Sequence, residues 1–236
     1  MKVFTDLHLH SCLSPCADDE MIPWNIVGMA SIKEMDVIAL TDHNSALNLP
    51  DAVEAGRELG VQVMPGLEVT SREEVHMLAY FCKLEDAMAF GEMIYDHLPD
   101  VKNNAALFGR QIIMENGDTE KGELEKLLIS ATDFSVEQLT EQIHAFHGVA
   151  VPAHINRGSN GMLGALGLMP MLPLYPVVEV AAKLDCPAYA TKGRLLLHSS
   201  DAHRLEDMQE RVFSLEVAEP TVQAVWEWLR EKTGGG

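Results

Sequence analysis

The first eighty positions alternate between short apolar runs and helical stretches, and the apolar runs end in polar residues. "VFTDLHL" is β-leaning and reads as a buried strand. Pro23 then opens "PWNIVGMASIKEM", where Ile26, Val27, Ala30 and Met35 share one side of a helix. "DVIALTDHNS" is a second strand with a polar end, and "LPDAVEAGRELG" is a helix closed by Gly60. "VQVMPGLEVT" is a third strand with an acidic corner. Strand–helix–strand–helix–strand is the pattern of parallel α/β architecture. Polar residues gathered at strand C-terminal ends stand where barrels and open sheets of that class place their active sites.

"EEVHMLAYF" continues as a fourth strand, after which the rhythm changes. "EDAMAFGEMIYDHLPD" is helical, with Ala87, Phe90, Ile94 and Leu98 on one face. From Lys102 to Asp133 the pattern is mixed, and "ENGD" reads as a tight turn. Residues 84–134 therefore read as an insertion or small subdomain within one domain spanning 1–236. "SVEQLTEQIHAFHG" resumes as a helix with a capping-box start that places Gln138 three residues after Ser135. "VAVPAHINR", "VVEVA", "LLLHSSDAH" and "VFSLEV" read as further strands, "TVQAVWEWLREK" as a closing helix and "TGGG" as a frayed tail. No internal repeat or low-complexity run is present.

With 236 residues, nearly half of them apolar, the chain is long enough for one large domain with a substantial core. No apolar stretch approaches the roughly 20 residues of a membrane span. "MKVFTDLHLH" lacks the features of a secretory signal, and four cysteines without such a signal point to a reduced, cytoplasmic setting. The formal net charge of −19 disfavours membrane surfaces and tight binding of long nucleic acid, since phosphate binding relies on lysine and arginine. Bound cations would make a site locally positive on this negative molecule. Oligomeric state is left open.

Candidate chemistry sits at the strand ends. His8 and His10, Asp42 and His43, Glu68, His76, His154, and Asp201 and His203 end or follow successive strands. Alternate residues of a strand share a side, so H-x-H and D-x-H aim two groups at one point. Histidine with carboxylate suits zinc, manganese and iron, and bridging carboxylates favour more than one ion. One H-x-H is weak evidence, but histidine or acid at the end of nearly every strand is much harder to obtain by chance. Cys12 and Cys16 could form a C-x3-C zinc pair, yet no second pair lies nearby, and small loop residues is the simpler reading. Cys82 and Cys186 read as core or loop residues, and His97, His144 and His147 as surface residues near helix C-termini. His198 reads as packing, and Asp6 and Asp42 as acids that orient a neighbouring imidazole.

"DLHLHS", "IALTDHN", "PGLEVT", "EEVHML", "VPAHI" and "SSDAH", in this order, resemble the PHP (polymerase and histidinol phosphatase) family across nearly the whole chain. That resemblance implies a distorted (β/α)7 barrel, here with the small insertion. It also implies three divalent ions at the strand C-terminal ends and hydrolysis of phosphoesters. It assigns His8, His10, Glu68 and Asp201 to one metal, Glu68, His76 and His154 to a second, and His43, His203 and an acid after the first strand to a third. For that acid the loop "SPCADDE" offers Asp18, with Asp19 as the alternative.

The expected activity is hydrolysis of a small phosphorylated metabolite, a nucleotide or a short oligonucleotide end by a metal-activated hydroxide, with Mn, Fe or Zn as the ion. Arg157, Asp201 and His203 are the candidate catalytic residues, with an imidazole or bound water protonating the leaving oxygen. Arg157 and Arg204 are candidates for gripping phosphate, against the plainer reading of surface ion pairs. The insertion would cap the barrel mouth or act as a spacer. An amidohydrolase-like barrel would carry a bridging lysine at a strand end, and none is present there. A non-catalytic module would have lost ligands, and every expected position is filled.

Overall fold

In the computed structural model, which describes residues 1–117 and 119–234, the chain order is strand and helix in alternation at both ends, with an antiparallel step in the middle. β1 (Lys2–Leu9), α1 (Pro23–Ile32), β2 (Val37–Leu40), α2 (Leu49–Leu59) and β3 (Gln62–Thr70) form the expected right-going series, with β1, β2 and β3 parallel. Pro23 occupies the first turn of α1, and Gly60 closes α2 at φ 75°, a left-handed position that glycine adopts without steric cost.

β4 (His76–Tyr80) departs from the parallel expectation: it runs antiparallel to β3. Its connection is Ser71–Val75, closed by hydrogen bonds from Ser71 N to Val75 O and from Val75 N to Ser71 Oγ. Five residues make a reversal, whereas a parallel crossover needs a dozen or more. His76 is thus the first residue of its strand, not the last, and the reversal brings that end to the same rim as the C-terminal ends of β1–β3.

α3 (Leu84–Asp96) follows, then α4 (Ala105–Phe108), β5 (Ile112–Glu115) and β6 (Thr119–Glu123). α3 buries Ala87, Phe90 and Ile94 in the main core, so the part standing apart from the sheet is α4 with the β5–β6 hairpin, a separate two-stranded sheet. The "ENGD" turn lies between the paired residues Glu115 and Thr119; its Asp118, like the last two glycines of the tail, lies outside the described residues. α5 (Val136–Ala145) starts with the capping box: Ser135 Oγ accepts from Gln138 N, and Gln138 Oε1 accepts from Ser135 N. β7 (Val149–Pro152), α6 (Met162–Leu166), β8 (Val177–Glu179), α7 (Ala188–Thr191), β9 (Leu195–Leu197), β10 (Ser214–Glu216) and α8 (Val222–Thr233) complete the chain.

The principal sheet has the order β10-β1-β2-β3-β4-β7, and β8 and β9 pair as a parallel couple. It curls into a half barrel. At its rim Ile155 N donates to Glu179 O, linking the end of β7 to the end of β8, and His10 N donates to Ala202 O, linking β1 to the chain after β9. One apolar layer lies between the sheet and α1, α2, α3 and α5; the other holds Leu7, Val37, Met64, Leu78, Tyr80 and Val151, with Val225 and Leu229 of α8 packed against it. Burying a side chain such as Leu7 completely contributes about 1.5–3 kcal/mol. Leu7 and Leu9 belong to opposite layers although they are two apart, because the β1–β2 register shifts between Asp6 and Leu9. Such an irregularity re-aims side chains at a strand end. Among the described residues no helix is long and apolar enough to cross a membrane.

Candidate metal centre

Glu68, near the end of β3, stands at the middle of the rim and is 1% exposed. Five imidazoles reach its carboxylate. His8 Nε2 (3.3 Å), His76 Nδ1 (2.9 Å) and His154 Nε2 (2.9 Å) approach Oε1; His10 Nε2 (3.3 Å) and His43 Nδ1 (3.1 Å) approach Oε2. The backbone sets this up: Glu68 N donates to Asp42 O, Asn44 N donates to Glu68 O, and His43 and Glu68 form a parallel bridge. Asp201 closes the other side, with Oδ1 3.4 Å from His8 Nε2 and 3.3 Å from His10 Nε2.

The ring tautomers follow from the hydrogen bonds. Ser14 Oγ donates to Asp42 Oδ1 at 2.7 Å, so it accepts from His10 Nδ1 at 3.0 Å, and that ring carries its proton on Nδ1. His8 Nδ1 lies 2.9 Å from Glu179 Oε2 and donates to it. Both rings then turn an Nε2 lone pair toward the same space, 3.1 Å apart. Two lone pairs facing each other, with carboxylates on either side, call for positive charge between them: a metal ion or, in its absence, protons on the rings. The Asp201 oxygens and His43 Nδ1 are buried and make no aligned hydrogen bond, meeting only charged or ionisable neighbours (Arg157 at 2.8 Å from Oδ2, Glu68 at 3.1 Å from His43 Nδ1), as expected of atoms that serve an ion. This donor set fits a divalent cation with mixed nitrogen and oxygen ligands.

Charge tells the same story. Burial alone would raise Glu68, yet His76, His8 and His43 hold it well below the usual carboxylate range. Burial opposes protonation of His8, but Glu179, Asp201 and Glu68 lift it well above its ordinary value; His10, despite burial, is lifted to about 9 by Asp201 and Glu68. Burial and the neighbouring His10 push His43 well down and His203 to about 4. The carboxylates demand positive charge, and two of the imidazoles hold protons where an ion would supply it. Burial and the neighbouring His10 thus favour the neutral form of His203.

Three groups of potential ligand atoms are close enough to share an ion: His8, His10, Glu68 and Asp201; His43, Glu68 and His76; and His10, His43 and His203. The first is the quartet expected for one metal. His154 lies 2.9 Å from the same Glu68 oxygen as His76. Asp18 joins none of these groups: its N donates to His203 O, but its half-exposed carboxylate meets Arg204 Nε at 3.4 Å. Asp19 is exposed. His154 (φ 25°) and Asp201 (φ 53°) both occupy positive-φ backbone, which costs about 1–3 kcal/mol each for such residues and is typical of functional positions.

Arg157 Nη2 lies 2.8 Å from Asp201 Oδ2, at the edge of the cluster, with its side chain 42% exposed. Asp42 reaches His10 only through Ser14, and Asp6 holds Ser200 and Gln209 instead of an imidazole. His198 packs its edge on Phe213. Cys12 is buried beside Ile112 and Met114, its thiol pushed up to about 12 by burial and by Asp42, and neither Cys12 nor Cys16 joins a ligand group. Two residues escaped the sequence reading: Ser14, and Glu179 at the end of β8. The signal for Glu179 was an acid enclosed by valines in "VVEVA", since a buried carboxylate needs a partner.

The hairpin region is tied to the loop that carries Ser11–Cys16. Ile112 N donates to Cys12 O, and Asn48 bonds Ser11 Oγ, Ile112 O and Met114 N. Gly109, at φ 98°, lies so close that a β-carbon there would collide with the Pro15 carbonyl oxygen.

Comparison with known proteins places these features in context. A family model of the PHP domain matches residues 6–157. A 5'-3' exoribonuclease of Haemophilus influenzae is 32% identical over 69 residues, which are 29% of this chain and 24% of that protein. Among solved structures, the lesion-specific endonuclease Q from Pyrococcus furiosus superimposes with a TM-score of 0.66 at 18% identity, covering 100% of this chain and 57% of the endonuclease. A second endonuclease Q structure, in complex with a 27-mer duplex with an abasic lesion at the active site, gives 0.69 at 16% identity and the same coverages. An amidohydrolase from Chromobacterium violaceum, with bound sulfate and no metal, gives 0.61 at 18% identity over 98% of this chain and 97% of that one. The structural likenesses are of fold. This chain spans a quarter of the exoribonuclease and just over half of the endonuclease.

Proposed function

The chain belongs to the PHP domain family, and from that premise we propose that it is a metal-dependent phosphoesterase acting on a small phosphorylated metabolite, a nucleotide or the end of a short oligonucleotide. The observation that carries this reading is the carboxylate of Glu68 surrounded by five imidazoles, with His8 and His10 turning lone pairs toward one another. In this reading the rim belongs to a distorted (β/α)7 barrel: β1, β2, β3, β4, β7, β8 and β9 are its seven strands.

His8, His10, Glu68 and Asp201 would hold one ion, and Glu68, His76 and His154 a second. His43 and His203 would hold a third, with His10 beside them and Asp18 displaced toward solvent. Divalent ions bound there supply charge for the phosphoryl oxygens and lower the pKa of water from 15.7 toward about 7. Glu68 keeps the ligands in register, Ser14 and Asp42 fix the His10 tautomer, and burial screens His8, His10, Glu68 and His154 from bulk water while His76, Asp201 and His203 stay partly exposed at the open side. Arg157 stands at the edge with a half-exposed guanidinium, suited to grip a phosphate in a fork once Asp201 is engaged by a cation. Arg204 faces Asp18 farther out. The α4–β5 segment packed on the Ser11–Cys16 loop would flank the mouth and restrict it to small or terminal substrates.

The net charge of −19 supports that restriction, while the duplex held by endonuclease Q makes nucleic acid a class worth including. None of the described lysines bonds to a cluster residue, which disfavours a lysine-bridged amidohydrolase centre. The test is a panel of phosphomonoesters, nucleoside bisphosphates and short oligonucleotides offered to metal-stripped protein before and after adding Mn, Fe or Zn. Turnover of at least one class that depends on added metal is expected. No turnover with any metal would favour a non-catalytic module.

A further inference from the structure

Glu179 is a buried carboxylate at the rim that the ligand groups leave out and, unlike buried Asp6 and Asp42, it bonds an imidazole of the cluster directly. It ends β8, is 2% exposed, and a single oxygen of it serves two neighbours. Oε2 accepts from His8 Nδ1 at 2.9 Å and from the main-chain N–H of His154 at 3.0 Å. Its own carbonyl accepts from Ile155 N at 3.0 Å, so two consecutive N–H groups of the segment carrying His154 are held by this residue. The other oxygen, Oε1, is buried without a partner.

His8 and His154 stack at 5.7 Å and reach the same Glu68 oxygen, Oε1, but their other neighbours differ: His8 faces His10 and Asp201, whereas His154 stands beside His76. Glu68 joins these two positions through its own carboxylate. Behind it, Glu179 joins them a second time, through a ring N–H on one side and a backbone N–H on the other. The His8 bond fixes the ring with its proton on Nδ1, leaving Nε2 to a cation. The His154 bond holds a backbone at φ 25° that would otherwise relax, and with it the aim of the ring. Carboxylates behind metal-binding imidazoles orient the ring and raise its basicity.

We infer that Glu179 is a positioning residue that couples the cation position served by His8 to the one served by His154, so that loss of its charge weakens both together. This rests on the metal-binding reading of the cluster. A plain packing role for Glu179 makes a different prediction, because glutamine has the same shape and keeps one oxygen able to accept both N–H groups.

The experiment titrates metal-stripped wild type, Glu179→Gln and Glu179→Ala with Zn2+ against a chromophoric chelator, with circular dichroism to verify folding. For wild type, at least two binding steps are expected. Glu179→Gln should weaken the two tightest steps by about 10-fold each, and Glu179→Ala by up to about 100-fold. Should the alanine variant fail to fold, the glutamine variant decides. Affinities of Glu179→Gln within about twofold of wild type would overturn the inference, since a carboxylate hydrogen-bonded to a metal-binding imidazole normally contributes more than that. Weakening of one step alone would overturn the coupling. If wild type itself binds no Zn2+, the metal reading fails and this inference with it, an outcome distinct from a wild type that binds and a variant that binds equally well.

Discussion

Glu68→Gln is expected to abolish metal-dependent turnover and to leave the protein without a full complement of ions. Five imidazole nitrogens lie within 3.3 Å of this one carboxylate, and the substitution replaces one of its two acceptor oxygens with an NH2 group. That amide must point a donor at one set of rings. Whichever way it turns, the cation position on either the His8, His76 and His154 side or the His10 and His43 side loses an oxygen ligand. The bridging charge is lost in both cases. Replacement of an outer-shell partner already costs 10–100-fold in affinity or activity, so loss of the central group should exceed about 100-fold. The metal-free protein should suffer as well. His8 and His10 are lifted above their ordinary values by the surrounding carboxylates, and removing one partner from a buried charge pair costs about 3–5 kcal/mol. Metal content by elemental analysis, phosphate release and thermal unfolding together check the expectation. Wild-type metal content in the variant would remove Glu68 from the centre of the site.

Asp201→Asn and Asp18→Asn should differ widely although both acids were candidates of the same kind. Asp201 has both carboxylate oxygens buried, pairs Oδ2 with Arg157 at 2.8 Å, sits at φ 53°, and places Oδ1 within 3.4 Å of His8 and His10. An asparagine there must aim an NH2 group at a cation or at the Arg157 guanidinium, so at least about a 100-fold loss of activity is expected. Asp18 pairs with Arg204 at 3.4 Å on a half-exposed surface, and such pairs contribute about 0–1 kcal/mol. Its asparagine variant should keep activity within a few-fold of wild type and unfold at nearly the same temperature. Side-by-side kinetics on one metal-loaded substrate decides this. Equal losses in the two variants would restore Asp18 to the ligand set.

The contrast between these acids shows where sequence stops being informative. H-x-H and D-x-H gave away which residues converge, because spacing by two commonly aims side chains together. The register shift in β1 and the left-handed backbone at Asp201 (φ 53°) show that the final aim is set by local irregularity as well. The loop "SPCADDE" has no such period. A turn closed by Ala17 N and Ser14 O, and the guanidinium of Arg204, decide which way Asp18 faces, and neither is visible in the order of residues. The direction of β4 was legible in principle, since five residues cannot make a crossover, but the apolar run alone reads the same in both directions. α3 looked like the start of an insertion because the strand–helix rhythm breaks there. Ala87, Phe90 and Ile94 nevertheless face the common core, and only packing reveals that. Glu179 went unread because "VVEVA" registers as an apolar strand before it registers as a buried acid.

The most direct measurement is a crystal of the protein soaked or grown with Mn2+ or Zn2+, with diffraction collected on either side of the metal's absorption edge. Anomalous peaks are expected among His8, His10, Glu68 and Asp201 and between Glu68, His76 and His154, at bonding distance from their nitrogen and oxygen atoms. A map with no peak there at saturating metal, or with the ions bound elsewhere on the acidic surface, would contradict the account.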